Sequence, residues 1–306
     1  MVPRLLLLGV AGLLATTVGA KPVPPRCGSA KSVAAGAPGR RVPRLARIVV
    51  IVMENKDCGD VIGRRTAPYE NALARRYAFA SRHFALRKPS LPNYLGLTGG
   101  STFGITTDCT DCSVAGSNLV DQLEAARITW KAYMEGMPTP CFRGAASGLY
   151  VKRHNPFLYY DDVASDPARC SRVVPLDRLA GDLASRTLPR FVWISPDLCH
   201  DTHNCAVRTG DRFLARLVPR LLRALGPRGA LFLVWDEGYE RAGCCGRAAG
   251  GNVPLVVAGP AARPGARSGL RYDHYSLLRT IEDAFGLLRL RNAACPCTRS
   301  LAPLIR

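Results

Sequence analysis

The sequence predicts an α/β layered fold built on a largely parallel sheet. Four nearly continuous runs of β-branched and other apolar residues are typical of strands that are covered on both faces, as in a parallel sheet. Segments with helical periodicity lie between these runs, and this alternation favours a layered α/β architecture. The chain has 306 residues, of which 47% are apolar, so it can form one large domain with a full-sized core.

Strands and helices alternate in a way that brings polar residues to equivalent places. The apolar runs cover residues 47–53, 191–194, 230–235 and 253–258, and the helical patterns cover residues 119–126, 176–185, 211–225 and 275–285. The first run ends at Glu54 and Asn55, the second leads into residues 195–203, and the third ends at Asp236 and Glu237. Sites in open α/β sheets form at the carboxyl ends of strands. We therefore expect these three polar clusters to meet in one crevice.

The first 20 residues have the layout of a secretory signal peptide. Arg4 precedes an apolar stretch over residues 5–18, which is short for a membrane span, and Gly19 and Ala20 offer a cleavage point. Residues 21–45 are rich in Pro, Gly, Ala and Arg and are expected to form a flexible lead-in to one domain over residues 46–306. We expect a secreted mature chain without a transmembrane span; the alternative is an uncleaved anchor or a buried helix.

The cysteine content agrees with export, because thiols in an oxidising compartment can persist as disulfides. Of the twelve cysteines, Cys109 with Cys112 and Cys199 with Cys205 could close short loops, and Cys141 with Cys170 bracket a longer one. The sequence leaves the full connectivity open. A zinc site at Cys109 and Cys112 would need a second paired motif, which is not evident.

The charge balance favours anionic partners. Forty-two Lys and Arg residues against 23 Asp and Glu give a net charge of +19, which attracts phosphorylated substrates or anionic lipid headgroups and does so less as salt rises. A solvated, arginine-rich surface explains the same number. No compact basic run is present in the sequence, so specific nucleic-acid binding is not expected.

The acids that follow the strands are suited to holding a metal ion. Glu54, Asn55, Asp236 and Glu237 offer oxygen atoms just beyond apolar runs, where an unpaired carboxylate would be costly and a bound cation would offset that cost. The alternative for either pair alone is a solvated turn at a strand end.

Ser90 and a group of histidines provide the remaining candidate chemistry. Ser90 lies at the predicted entrance of a helix, where free backbone N–H groups suit a phosphate or an ionised serine; taken alone, it is an ordinary helix cap. His200 and His203 lie in an acidic segment, and His154 and His274 lie in other polar contexts. Histidine can bind a metal ion, or as imidazolium can hold phosphate and protonate a leaving oxygen.

Six stretches together resemble a known family, the bacterial phosphoesterases that include acid phosphatases and phospholipase C-like enzymes, within the alkaline phosphatase superfamily. The matching stretches are residues 49–55, 89–95, 152–157, 194–203, 235–237 and 272–282. They occur in the family's order and extend over residues 47–290. The resemblance implies an alkaline phosphatase-like fold, with a mostly parallel central sheet flanked by helices on both faces, and makes residues 46–306 a phosphoesterase domain.

The same resemblance implies roles for individual residues. Glu54, Asn55, Asp236 and Glu237 would be metal ligands, Ser90 and His203 would be catalytic, and His154, His200 and His274 would bind phosphate. Many relatives have Asn where this chain has His200, which leaves the metal count open. Oxygen ligands permit Mg, Ca or Mn, whereas histidine ligation favours Zn or Fe.

The sequence thus predicts a secreted, metal-dependent acid phosphatase that hydrolyses phosphate monoesters of a small molecule or lipid through a phosphoserine. One alternative is a phospholipase C or phosphodiesterase that acts on diesters. Another is a secreted basic protein without catalytic activity that binds anionic surfaces. A sulfatase has less support, because the sequence contains no Cys-x-Pro-x-Arg segment.

Overall fold

A computed structural model describes residues 24–33 and 40–306. The predicted signal peptide and part of the predicted lead-in lie outside the described residues. The strands are β1 Arg47–Met53, β2 Ala78–Phe84, β3 Trp130–Met134, β4 Ala146–Ser147, β5 Tyr150–Val151, β6 Val173–Pro175, β7 Phe191–Ser195, β8 Gly229–Trp235, β9 Asn252–Ala258, β10 Arg267–Ser268 and β11 Tyr272–Asp273. The α-helices are α1 Cys58–Val61, α2 Pro68–Arg76, α3 Ser90–Gly99, α4 Leu119–Ala125, α5 Asp161–Ala164, α6 Pro167–Cys170, α7 Arg178–Ala184, α8 Val207–Ala224, α9 His274–Phe285 and α10 Arg291–Ala294.

Nine of these strands form one mostly parallel sheet, as predicted. Its order is β10-β2-β9-β8-β1-β7-β3-β6, with β11 paired to β2. β1 lies at the centre and pairs in parallel with β7 and β8, so that Met53 is level with Trp235. β9, the fourth predicted strand, is antiparallel to both of its neighbours, β8 and β2. Its carboxyl end at Ala258 therefore lies at the edge of the sheet opposite to the ends of β1, β7 and β8.

Helices cover both faces of the sheet, because the side chains of β1 alternate between two hydrophobic cores. Ile48 and Val50 face one core, to which α3, α4 and α9 contribute. Val49 and Ile51 face the other core, with α2, α7 and α8. Every residue of β1 after Arg47 is buried, which explains why the run is apolar throughout instead of alternating with polar residues.

Six disulfides pair all twelve cysteines. The three predicted pairings, Cys109 with Cys112, Cys199 with Cys205, and Cys141 with Cys170, are confirmed, and the remaining bonds are Cys27–Cys58, Cys244–Cys245 and Cys295–Cys297. Cys27 ties the lead-in to α1, and the neighbouring Gly28 donates its N–H to the carbonyl of Ser81 in β2 at 2.7 Å. Within the described ranges, no helix is long and apolar enough to cross a membrane.

Candidate active site

Three neighbouring strands deliver acidic side chains to one buried point at their carboxyl ends. Glu54 follows β1, Asp201 lies in the loop after β7, and Asp236 follows β8; all three residues are fully buried. The backbone joins the three segments, since Glu54 N–H donates to Asp201 O at 2.8 Å and Asp236 N–H donates to Met53 O at 2.9 Å. The predicted meeting of the polar clusters is therefore confirmed for these three segments.

Ser90 lies directly on this acidic centre. Its hydroxyl donates to Glu54 Oε2 at 3.1 Å. The hydroxyl of Tyr94, four residues later on the same face of α3, donates to the other oxygen, Oε1. Asn93 shapes the turn that precedes Ser90, because its Oδ1 accepts from the N–H groups of Leu86 and Arg87.

His154 lies between two of the acids. Its Nε2 is 3.4 Å from Glu54 Oε2, and its Nδ1 is 3.3 Å from Asp201 Oδ2. The ring stacks on Tyr94, with 5.5 Å between the ring centroids, and the centroid of the His203 ring is 6.0 Å from that of His154. The ligand atoms of Glu54, His154 and Asp201 all lie within 4.8 Å of one another, close enough to hold one metal ion.

Burial makes the carboxylate charges in this centre unfavourable. It raises the pKa of Glu54 well above its usual range, and the nearby Asp236 and Asp201 raise it further. Burial also raises the pKa of Asp201 to about 9 and that of Asp236 to about 6. The pKa of the adjacent Glu237 rises to about 9, first through burial and then through the charge of Asp236. A cation bound here would stabilise the ionised carboxylates and so lower their pKa values.

Unpaired polar atoms indicate where a cation would fit. Asn55 Oδ1, Asp201 Oδ2, Asp236 Oδ2 and Glu237 Oε2 are buried and have no hydrogen-bond partner. Asn55 has a left-handed backbone with φ of 49°, a conformation that Asn tolerates better than most residues, and its N–H donates to Asp236 Oδ1 at 3.2 Å. Buried polar atoms are normally paired, so these oxygens fit a hard divalent cation.

The structure gives two of the predicted phosphate ligands other surroundings. His274 is fully buried behind Asp236, where its Nε2 donates to Asp236 O at 2.5 Å and its Nδ1 is 3.1 Å from His83 Nε2. Because protein groups engage both ring nitrogens, His274 has no free donor for a phosphate. His200 instead joins Glu135 and Asp197, with its Nδ1 2.9 Å from Glu135 Oε1, and its ring stacks on Phe213.

The predicted free N–H groups at the start of α3 are partly occupied. Leu91 N–H donates to the carboxylate of Asp108 at 2.9 Å. The Asp108 carboxylate is also 3.5 Å from the guanidinium of Arg153. Asp108 directly precedes Cys109, which forms a disulfide with Cys112. A phosphate at the helix entrance would therefore meet this carboxylate.

Several residues of the centre were not among the predicted site residues. Tyr94 could have been identified by its position four residues after Ser90, which places both on one helix face. Asp201 lies in the predicted acidic segment but is not among the predicted metal ligands. His83 carries no local signal, because only the packing of distant segments brings it to His274. Thr202, whose hydroxyl donates to Glu54 O at 2.8 Å, lies in the predicted polar segment beside Asp201.

Comparisons with known proteins identify the family of this chain. The model of the Phosphoesterase family matches residues 62–288, a range that contains Ser90, Asp201 and Asp236. The chain belongs to the Phosphoesterase family. It is 31% identical over 283 residues to a phosphatidylinositol-3-phosphatase of Mycobacterium tuberculosis, with 90% of this chain and 85% of that protein covered. It is 26% identical to a probable acid phosphatase of Kluyveromyces lactis, with 80% of this chain and only 59% of that protein covered.

The fold of the phosphoesterase also has solved counterparts. A protein of the alkaline phosphatase superfamily from Vibrio parahaemolyticus superimposes with a TM-score of 0.56 at 12% identity, with 83% of this chain and 70% of that one covered. The predicted alkaline phosphatase-like fold and the predicted family are therefore confirmed, as is the prediction of a hydrolase that acts on phosphate esters.

Proposed function

We propose that this phosphoesterase is an exported, metal-dependent phosphomonoesterase of the acid phosphatase type that works through a phosphoserine at Ser90. The observation that carries the proposal is the 3.1 Å contact between Ser90 Oγ and Glu54 Oε2 inside a buried centre of unpaired oxygens. A serine that only caps a helix would not require contact with a buried cluster of carboxylates. The leader-like residues 1–20 and the fully paired cysteines support export.

The metal ligands that we propose are Glu54, Asn55, Asp236 and Glu237, and the contacts of Asp201 with the same centre make it a further ligand. A bound divalent cation supplies charge neutralisation at the phosphoryl oxygens and lowers the pKa of a nucleophile. These donors suit Mg, Ca or Mn, and His154 beside Glu54 would favour Zn.

The side chains suggest how protons move during phosphoryl transfer. As Ser90 Oγ bonds to phosphorus, its proton leaves to solvent, because Glu54 as a metal ligand is a poor base. The contact with Glu54 Oε2 positions Oγ, and Tyr94 holds the other carboxylate oxygen in place. The bond from phosphorus to the leaving oxygen breaks, and His203 as imidazolium donates a proton to that oxygen. His203 Nδ1 is 2.7 Å from Asn204 Oδ1, which leaves Nε2 as the donor. Water then attacks the phosphoserine, restores the proton of His203 and releases phosphate as Ser90 recovers its own proton.

The substrate that we propose is a phosphate monoester of a small molecule or lipid. The net charge of +19 would help to gather such anions or to bring the protein to anionic surfaces. A non-catalytic binding protein would not require a nucleophile in contact with buried acids.

Ser90→Ala tests the proposal. Hydrolysis of p-nitrophenyl phosphate should fall by at least about 1,000-fold, because removing the nucleophile of a covalent mechanism removes most of the rate enhancement. Ser185→Ala, which removes an exposed hydroxyl at the end of α7, is the matched control and should keep full activity. Turnover within tenfold of the wild type in Ser90→Ala would contradict the assigned role.

Two further measurements separate the alternatives. Bis-p-nitrophenyl phosphate should be a poorer substrate than the monoester; faster cleavage of this diester would favour a phosphodiesterase or phospholipase C. A chelator should abolish hydrolysis of both, and an added divalent cation should restore it.

A further inference from the structure

Two lysines lie beside the residues that we place at the centre of the reaction. The chain contains only six lysines against 36 arginines, and Lys56 directly follows Asn55 while Lys88 comes two residues before Ser90. Both ammonium groups lie close to the ring of Tyr239, which follows Asp236 by three residues. Lys56 Nζ is 5.4 Å and Lys88 Nζ is 5.6 Å from the ring centroid. We call these three residues the lysine rim.

Backbone oxygens, not acids, hold the two ammonium groups. Lys56 Nζ donates to Asn55 O at 2.9 Å and to Thr202 O at 2.8 Å, and Lys88 Nζ donates to Tyr239 O at 2.5 Å. Neither lysine forms a salt bridge with a carboxylate of residues 24–33 or 40–306. Neutral oxygens fix the position of each cation and leave its charge uncompensated by an ion pair.

Hydrogen bonds hold the backbone of Tyr239 in place, whereas its side chain is exposed to solvent. Asp57 accepts the N–H of Tyr239 at 3.0 Å and that of Glu240 at 3.0 Å. A Cβ on Gly238 would lie 2.0 Å from Asp57 Oδ1, so that this close approach requires glycine. Despite this anchoring, Tyr239 is 59% exposed, one of few large hydrophobic residues with such exposure in the described part of the chain. The backbone of Tyr239 is therefore held in place while its ring remains accessible to solvent.

We propose that the lysine rim is a leaving-group subsite, and that it favours phosphomonoesters whose leaving group carries a second anionic group. The inference rests on the proposed function, because Ser90 sets where the scissile phosphate lies. A group attached to that phosphate meets Lys56 on the Asn55 side and Lys88 on the Ser90 side, with the Tyr239 ring as an apolar wall. Two cations that form no salt bridge attract a negative substituent, and a neutral substituent gains only contact with the ring.

A pair of nearly isosteric substrates tests the subsite. 4-Carboxyphenyl phosphate and 4-carbamoylphenyl phosphate differ by the charge of one substituent, so the ratio of their kcat/KM values reports recognition of that charge. We expect the wild type to prefer the carboxylate about fivefold, the size of effect that partly exposed ion pairs produce. Raising the salt concentration to 0.5 M should reduce this preference, because exposed charges are screened.

Substitutions of Lys88 assign the preference to the rim. Lys88→Gln should lower the ratio to about 2 or below, and Lys88→Arg should keep most of it, since the charge remains. Lys131→Gln is the matched control, because it removes one positive charge from a lysine paired with Asp182 at 2.7 Å on another part of the sheet, and its ratio should equal that of the wild type.

The outcomes separate the subsite from the reaction itself. If the wild type turned over neither substrate, the proposed phosphomonoesterase function would be overturned. Turnover of both with a ratio that Lys88→Gln leaves unchanged, or that Lys131→Gln lowers equally, would overturn the subsite alone. A Lys88 that only balances the charge of the nearby Glu237 would alter both kcat/KM values by the same factor, which also contradicts the inference.

Discussion

Binding of a divalent cation should stabilise the folded protein, because burial disfavours the negative charges of the acids in the centre. Burial raises the pKa of Asp201 to about 9 and that of Asp236 to about 6, and the pKa of Glu54 is raised as well. Without a cation, the folded state therefore binds more protons than the unfolded chain above about pH 4, and its stability falls as pH rises towards these pKa values. A cation replaces the protons and removes this loss.

The magnitude is set by mass action. A cation at 100 times its dissociation constant adds about 2.7 kcal/mol to the free energy of unfolding. For a domain of this size, each kcal/mol raises Tm by about 2 to 4 °C, so we expect an increase of about 5 to 10 °C at pH 8. At pH 5 the increase should be smaller, because protons compete with the metal for the same carboxylates.

The assay is thermal unfolding followed by circular dichroism, with chelator and with added Mg, Ca, Mn or Zn ions. Glu54→Gln should lose most of the increase, since it removes a charged ligand from the centre. Glu282→Gln is the control, because Glu282 is also buried but accepts the N–H of Leu290 at 2.8 Å on the far part of α9. No increase with any of these ions at pH 8, or an equal increase in Glu54→Gln, would refute the proposed metal centre.

Three further perturbations test other parts of the structure. Tyr94→Phe should lower kcat about tenfold with little change in KM, because it removes the hydrogen bond to one oxygen of Glu54 and leaves the nucleophile in place. An unchanged kcat in steady-state kinetics would contradict this expectation. Glu70 is buried, and burial raises the pKa of its carboxyl, so the wild type loses up to about 1.4 kcal/mol of stability per pH unit above pH 4 through this group. Urea unfolding at pH 5 and pH 8 should therefore show that Glu70→Gln gains stability relative to the wild type as pH rises. A constant difference between the two proteins would argue against a buried ionisable group. Asp108→Asn removes the carboxylate at the start of α3 and should lower the inhibition constant of inorganic phosphate about threefold to tenfold, whereas weaker inhibition would mean that Asp108 helps to shape the phosphate site.

Local patterns in the sequence were sufficient for the framework of the fold. The apolar runs that became β1, β7 and β8 are buried on both faces, and burial of this kind leaves a direct trace in composition. The same runs located Glu54 and Asp236, because a polar residue directly after a buried strand must lie at the edge of the sheet. Ser90 was identified by the helix that begins there.

Strands with weaker patterns required the tertiary structure. β2 and β3 contain polar or charged residues such as Arg82 and Lys131, so neither reads as a continuous apolar run. The antiparallel direction of β9 is set by its pairing with β2 and β8, which its own residues do not encode.

The sequence by itself thus determined which residue types lie at the strand ends, since that depends on burial within short segments. Only the tertiary structure decided which of them meet. It placed His83 behind His274, directed His200 towards Glu135, and brought Lys56 and Lys88 to Tyr239. The physical reason is that such contacts join side chains separated by up to about two hundred positions, and the packing of helices on the sheet fixes their distances where no local periodicity can.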